Sequence, residues 1–575
     1  MKLFRISLPL IITTSVVGAF TSSYWLNRQH GKLEYSFVNK KKNIHPIRST
    51  IELSAFGRRQ NKKSNANSIP IETCQELDDY FLDNQQKFRL SNGEIDYNEL
   101  LKCLCVKGDT QTVTSSHPAV QLLHQRRRSP SSKGDDECKV ALVIEGGGMR
   151  GCVTAGMVCA IYYLGLQDTI DVIYGSSAGT VIGSYFNTRQ LPWFGPEVYY
   201  DSLTTAGRKF INTRRFLRAI GWGLLNPFLW KDVILRRNHG KPVLNLPYLL
   251  QTTLQETKPL NWTKFVQMQE RQPVKVVASG LLKAQSSVVL SLDQSSFSSL
   301  KELSSCMHAA CLLPGVAGPI MNINMDALHN TDTTNCTDDR DTYYVLRNNM
   351  DPKLGMEALA DTLIYEPLPY RSAIKVDNVT HVIMLRSRPD GTDVTGKSSF
   401  IERRIVKRFF KRKNPQLSHI YEYMKRHFHK KIYAEQILEL NHAAKDIHRS
   451  YNDTSRTHMA TIAVPQGSPE VSRLETRREQ IFDGVRRGFA RAYDALVEDP
   501  NERGNGRFIA EQFFPPNILN YDPLNMTNTH VMESAFDQYL KQQQLTKNDS
   551  DNEASKLWGK TADETIQYNL NRNES

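Results

Sequence analysis

Short apolar runs of strand length recur along this chain. They are Val140–Ile144, Ile170–Tyr174, Val274–Ser279, Ser287–Leu292, Leu359–Leu363, His381–Leu385 and Ala460–Val464. Runs of four to eight apolar and β-branched residues between turn signals read as buried strands. Two of them run straight into glycine-rich turns, Gly146-Gly147-Gly148-Met149-Arg150-Gly151 and Gly175-Ser176-Ser177-Ala178-Gly179, each opening a helical segment. The second helix continues through Thr180–Phe186. Another spans Leu300–Leu312 and stops at Pro314-Gly315, as proline and glycine stop helices. Later, Ser472-Arg473-Leu474-Glu475 has the spacing of a capping box leading into a helix to about Val497. Strands alternating with helices predict an α/β fold with a mostly parallel central sheet.

The same pattern divides the chain. Residues 138–390 form the predicted catalytic domain, preceded by a helical lead-in and linker over 71–137 with helices at Cys74–Leu90 and Tyr97–Val106. Residues 391–515 are mainly helical and basic, and 516–575 form a polar tail. Within 397–431 twelve Lys and Arg face only Glu402 and Glu422. Ile401, Ile405 and Phe409, with Val406 and Phe410 beside them, recur at helical spacing. A basic amphipathic helix of this kind either lies on anionic lipid or packs on the core with a basic back outward. Residues 1–70 read as a targeting segment. Lys2 and Arg5 precede an apolar stretch from Ile6 to Phe20, and Thr21–Pro70 carries only Glu34 and Glu52 as acids. This fits a cleaved signal peptide or a retained anchor followed by a basic linker, and resembles the bipartite presequence of algae with secondary plastids. Membrane association in the secretory, endomembrane or plastid system is the expected location.

Charge narrows the partners. The 575 residues carry a formal net charge of +13, which favours an anionic surface, and no nucleic-acid recognition motif accompanies it. A membrane is therefore the expected partner and nucleic acid is not. Nine cysteines without a C-x-x-C pair indicate neither a disulfide framework nor a zinc site. The aspartates between Asn322 and Gly355 lack EF-hand spacing and read as a solvated insertion. No metal or cofactor is expected.

The candidate chemistry lies in the two glycine turns. A serine in Gly-x-Ser-x-Gly between strand and helix is a nucleophile elbow, in which Gly175 and Gly179 permit the sharp turn that exposes Ser177. The earlier turn offers backbone N–H groups for an oxyanion. A Ser-His-Asp triad would need a late histidine in a loop after a strand. The late histidines from His419 to His530 sit mostly in basic or polar helical segments. With Leu313-Pro314-Gly315 and Leu359-Ala360-Asp361 in the same order, these motifs resemble the patatin-like phospholipase family over about 139–385.

That resemblance implies a three-layer patatin-type α/β fold and a Ser–Asp dyad, with Ser177 as nucleophile and Asp361 as base. It also implies an oxyanion hole from Gly146, Gly147 and Gly148, with Arg150 and Gly151 beside it. Asp326 is the alternative base. The family's third block is usually Asp-Gly-Gly or Asp-Gly-Ala, whereas Thr362 and Leu363 follow Asp361 here, and they resist backbone angles that glycine accepts. The implied function is hydrolysis of acyl esters of membrane glycerolipids, phospholipid or galactolipid. A transacylase with the same dyad and a silent lipid-binding scaffold are the alternatives.

Overall fold

A computed structural model describes residues 68–521, apart from 135, 191–193, 231–233, 235–240, 293–296, 325–355 and 397, together with 535, 538 and 539. Residues 1–67 of the targeting segment, the aspartate-rich insertion with Asp326, and most of the polar tail lie outside the described residues.

The strands are β1 (Ile69–Pro70), β2 (Leu104–Cys105), β3 (Val140–Ile144), β4 (Val172–Ser176), β5 (Val274–Gly280), β6 (Ser286–Leu290), β7 (Met321–Asn324), β8 (Met356–Ala360), β9 (His381–Leu385) and β10 (His458–Ile462). β1 and β2 pair with each other; the rest form an eight-stranded sheet in the order β10-β9-β3-β4-β5-β8-β7, with β6 also on β5. From β10 to β5 every pairing is parallel, whereas β6, β7 and β8 join antiparallel.

Side chains alternate across a strand, so each strand feeds two cores. Val140, Leu142, Ile144, Ile173, Val276 and Leu385 enter one apolar cluster, while Ala141, Val143, Tyr174, Val277 and Met384 enter the other. The first face is covered by α-helices Gly151–Tyr163, Ala178–Asn187, Leu300–Ala310 and Arg478–Leu496. The second is covered by Cys74–Asn84, Tyr97–Lys102, Tyr370–Asp377 and Phe428–Ala444. The result is a helix–sheet–helix sandwich, an α/β fold of three layers. The lead-in helices belong to its second face.

The boundary drawn from charge at residue 390 lies between β9 and β10, which are neighbours in one sheet. Helix Arg478–Leu496 also crosses Gly151–Tyr163 so closely that a Cβ on Gly488 would overlap the Val153 carbonyl, and one on Gly156 the Val485 carbonyl. In 397–431 the apolar face is buried in the protein through Ile405, Phe409, Phe410, Leu417 and Ile420. That segment is broken into Phe400–Val406, a π-helical turn at Lys407–Lys413 and Ser418–Lys425. Among the described residues no helix is long and apolar enough to cross a membrane.

The glycine crossing should be intolerant of bulk. Gly488→Val forces backbone apart in a packed layer and should destabilise the protein by about 3 kcal/mol, read as a lowered midpoint in urea. An unchanged midpoint would contradict the crossing.

Candidate active site

The site lies at the carboxyl ends of β3 and β4, where Ile144 pairs with Gly175 on one side and Leu385 on the other. Crevices at this end of parallel strands are where open α/β sheets place ligands. Ser177 joins β4 to helix Ala178–Asn187 with φ 49° and ψ −123°, a region that non-glycine residues avoid. The flanking glycines are explained by contact. A Cβ on Gly175 would lie 2.6 Å from the Thr180 Cα, and one on Gly179 would overlap the Ile144 carbonyl. A Cβ on Gly146 would lie 2.5 Å from both the Ser176 carbonyl oxygen and the Ser177 Cβ. The first glycine turn therefore rests directly on the elbow.

Hydrogen bonds divide the donors of that turn. The Gly146 N–H donates to Ser176 Oγ at 3.0 Å, the Met149 N–H to the Arg473 carbonyl at 3.1 Å, and the Arg150 N–H to the Gly147 carbonyl at 3.3 Å. The Gly151 N–H donates to the Gly148 carbonyl. Among the described residues, this leaves the N–H groups of Gly147 and Gly148 without a protein acceptor. Gly148 has φ 60°, and a Cβ there would sit 2.7 Å from the Arg473 carbonyl oxygen, so both conformation and space call for glycine. The Gly146 carbonyl accepts from Ser387 Oγ at 2.9 Å. In a planar trans peptide the next N–H points the opposite way, so this bond turns the Gly147 N–H away from Ser387. Ser387 is itself held by Glu145, whose carboxylate accepts from its N–H at 2.6 Å and from Tyr433 at 2.8 Å.

Arg150 is buried, and its side chain is held by protein partners. Its Nε donates to the Val471 carbonyl at 3.0 Å and its guanidinium pairs with Glu470 at 2.5 Å. Burial pulls its pKa down to about 10, which leaves it charged at neutral pH.

Asp361 follows β8 and is buried. Its N–H donates to the Leu312 carbonyl at 3.0 Å, and its carbonyl accepts from Ser279 Oγ at 3.0 Å. The strand expected over Leu359–Leu363 ends at Ala360. Thr362–Ile364 form a 3-10 turn, and the Asp361 carboxylate accepts the Leu363 N–H at 3.0 Å. Neither Thr362 nor Leu363 has a positive φ. This turn therefore needs no glycine, because the aspartate closes it with its own side chain. Burial is the largest influence on the carboxyl and raises its pKa. The Leu363 N–H, the neighbouring Ser177 hydroxyl and the Arg473 charge hold it back.

Two nearby residues had no signal in the sequence. The Cys311 thiol is buried within reach of the Ser177 and Thr180 hydroxyls, and its pKa is pushed up to about 12, so it is a neutral packing group. Arg473 lies in the segment read as a capping box. There is no such box: helix Arg478–Leu496 begins after Arg477, and Ser472–Glu475 is a turn closed by the Glu475 N–H on the Ser472 carbonyl. That turn presses Arg473 against Gly148 and brings its charge to Asp361, with its Nε buried and lacking a hydrogen-bond partner.

With this geometry in view, the family comparison can be placed: residues 142–374 match the family described as patatin-like phospholipase. That stretch of the chain is similar to patatin-like phospholipases. No curated protein matches the chain. The patatin match takes in β4 to β8, both glycine turns and Asp361, and it supports a lipid hydrolase.

A buried carboxyl with a raised pKa opposes folding when ionised. Its penalty is absent below the unfolded aspartate value of about 3.9 and grows as pH rises through the folded value. Asp361→Asn should therefore melt above the wild type at pH 7.5, with the difference shrinking toward pH 4. A variant no more stable at pH 7.5 would contradict the desolvated carboxyl.

Proposed function

We propose that this patatin-like domain is a serine lipid acyl hydrolase in which Ser177 is the nucleophile and Asp361 its general base. The observation that carries the reading is the strained backbone of the half-buried Ser177 beside a carboxyl whose basicity is raised by burial. Asp361 takes the Ser177 proton as Oγ attacks the ester carbonyl carbon. The carbonyl π electrons move onto oxygen, and the N–H groups of Gly147 and Gly148 stabilise that charge. Each such donor typically contributes about 100-fold or more. The intermediate collapses, the C–O bond to the lysolipid breaks, and the leaving oxygen takes the proton from Asp361. Water, deprotonated by the same carboxylate, then releases the fatty acid from Ser177.

The substrate class is an acyl ester of a membrane glycerolipid, phospholipid or galactolipid. It is supported by the family and by an apolar setting that keeps the base poorly hydrated. We also assign to the basic back of 397–431 a contact with an anionic membrane, its apolar face being used inside the protein.

Turnover of a soluble short-chain ester tests this reading. Ser177→Ala and Asp361→Asn should each lower kcat roughly 1,000-fold or more. Ser387→Ala, which frees the Gly146 carbonyl, should lower kcat roughly tenfold or more with KM little changed. Because the ionised carboxylate is the active form, kcat/KM should fall on the acid side with a midpoint above about 3.9. Full activity in Asp361→Asn would remove the dyad. Acyl transfer to an added alcohol in preference to water would favour the transacylase.

A further inference from the structure

Residues 221–230, Gly-Trp-Gly-Leu-Leu-Asn-Pro-Phe-Leu-Trp, contain no charge and follow a stretch holding Arg208, Lys209, Arg214, Arg215 and Arg218. They fold as two short 3-10 turns, Gly223–Leu225 and Pro227–Leu229, of which Leu229 alone is anchored in the interior as a large apolar residue. Trp222, Leu224, Leu225, Phe228 and Trp230 all stand exposed, Leu225 at 74% and Phe228 at 78%. Five large apolar side chains on one surface loop are far more than scattered exposure supplies, and such patches mark an interaction surface. Phe400, also exposed, extends the patch from the 397–431 segment.

Cations ring it. The Arg404 guanidinium lies 4.9 Å from the Trp222 ring centre and 6.0 Å from that of Phe400, and its Nε donates to the Ile220 carbonyl at 2.9 Å. The Arg214 guanidinium lies 5.0 Å from the Phe228 ring centre. Arg408 packs at Gly221. The loop's backbone bonds to itself: Leu225 N–H to the Trp222 carbonyl, Asn226 to Gly223, Leu229 to Asn226, and Trp230 Nε1 to the Leu224 carbonyl at 3.0 Å. Each backbone group paired within the loop is one fewer to strand when it enters an apolar phase.

The patch connects to the site. Beneath it, Phe216, Ile220, Val243, Val316 and Ile405 form a separate apolar cluster. Val316 lies four residues after Leu312, whose carbonyl accepts the Asp361 N–H. A Cβ on the intervening Gly315 would touch Ile405 at 2.7 Å.

We propose that the 221–230 loop and the Phe400–Arg408 face together form a membrane-docking wedge. Its aromatic and leucine side chains enter the interfacial region of an anionic bilayer while Arg214, Arg404 and Arg408 meet lipid phosphates. Aromatic rings beside cations suit that boundary, and the positive ring is complementary to an anionic leaflet. Docking places the Leu312–Gly315 turn, and with it the neighbourhood of Asp361, on the membrane side. This surface extends the basic contact assigned above and is independent of the acyl chemistry.

Flotation of the full chain with vesicles of phosphatidylcholine and phosphatidylglycerol at 7:3 tests it, in a Ser177→Ala background so that hydrolysis plays no part. Binding should be strong, should weaken with salt, and should fall at least tenfold in Leu225→Ser/Phe228→Ser. The same double substitution on active protein should leave soluble-ester turnover unchanged. Equal binding by the double variant would overturn the wedge, as would equal binding to pure phosphatidylcholine. So would a wild type that stays off vesicles, including one that forms a dimer dissolved by the double substitution. Loss of soluble-ester turnover in the wild type with vesicle binding intact would instead count against the hydrolase reading alone.

Discussion

The arrangement of this site depends on one close approach: the Gly146 turn resting against the Ser177 elbow with no room for a Cβ between them. The elbow holds Ser177 in a backbone region that costs an L-residue about 1–3 kcal/mol, and such strain persists only where its surroundings over-determine it. Here they do. β3 and β4 fix both ends in parallel register, Thr180 N–H and Oγ1 both donate to the Ser177 carbonyl, and the Gly146 N–H ties to Ser176. The strained elbow and the glycine turn therefore form one packed unit, with no room for a Cβ at Gly146.

Charge around that point is buried and balanced. Arg150, Arg388 and Arg473 converge near Glu145, Glu470 and Asp361, and burial lowers the pKa of Arg150 and Arg473. Burial raises Asp361, and the Leu363 N–H, the Ser177 hydroxyl and then the Arg473 charge hold that rise back. Desolvation of the Asp361 carboxyl is thus opposed by hydrogen bonds and a counter-charge. The counter-charge, Arg473, comes from a turn far along the chain from Asp361.

Much of this was legible in the sequence because it is local. Val140–Ile144, His381–Leu385 and Ala460–Val464 are apolar runs that demand burial on both faces; β3 and β9 lie at the first two, and β10, His458–Ile462, overlaps the third by three residues. The elbow was legible because Gly175 and Gly179 answer contacts within their own turn and the strand beside it. What remained hidden is long-range or replaced by side-chain chemistry. Thr362 and Leu363 looked incompatible with the turn until the Asp361 carboxylate was seen to accept the Leu363 N–H. Arg473 looked like part of a helix cap, because Ser-x-x-Glu spacing does not distinguish a cap from a turn. The basic composition after residue 390 concealed that β10 and helix Arg478–Leu496 complete the sheet and its first face, since cations on an outer surface do not reveal what lies inward.

The central claim is that Ser177 forms the covalent acyl bond, and the most direct measurement is mass spectrometry of peptides after exposure to a fluorophosphonate. The account predicts a single phosphonyl adduct on Ser177, lost in Ser177→Ala and slowed in Asp361→Asn. An adduct on another residue, or a wild type left unmodified, would contradict it.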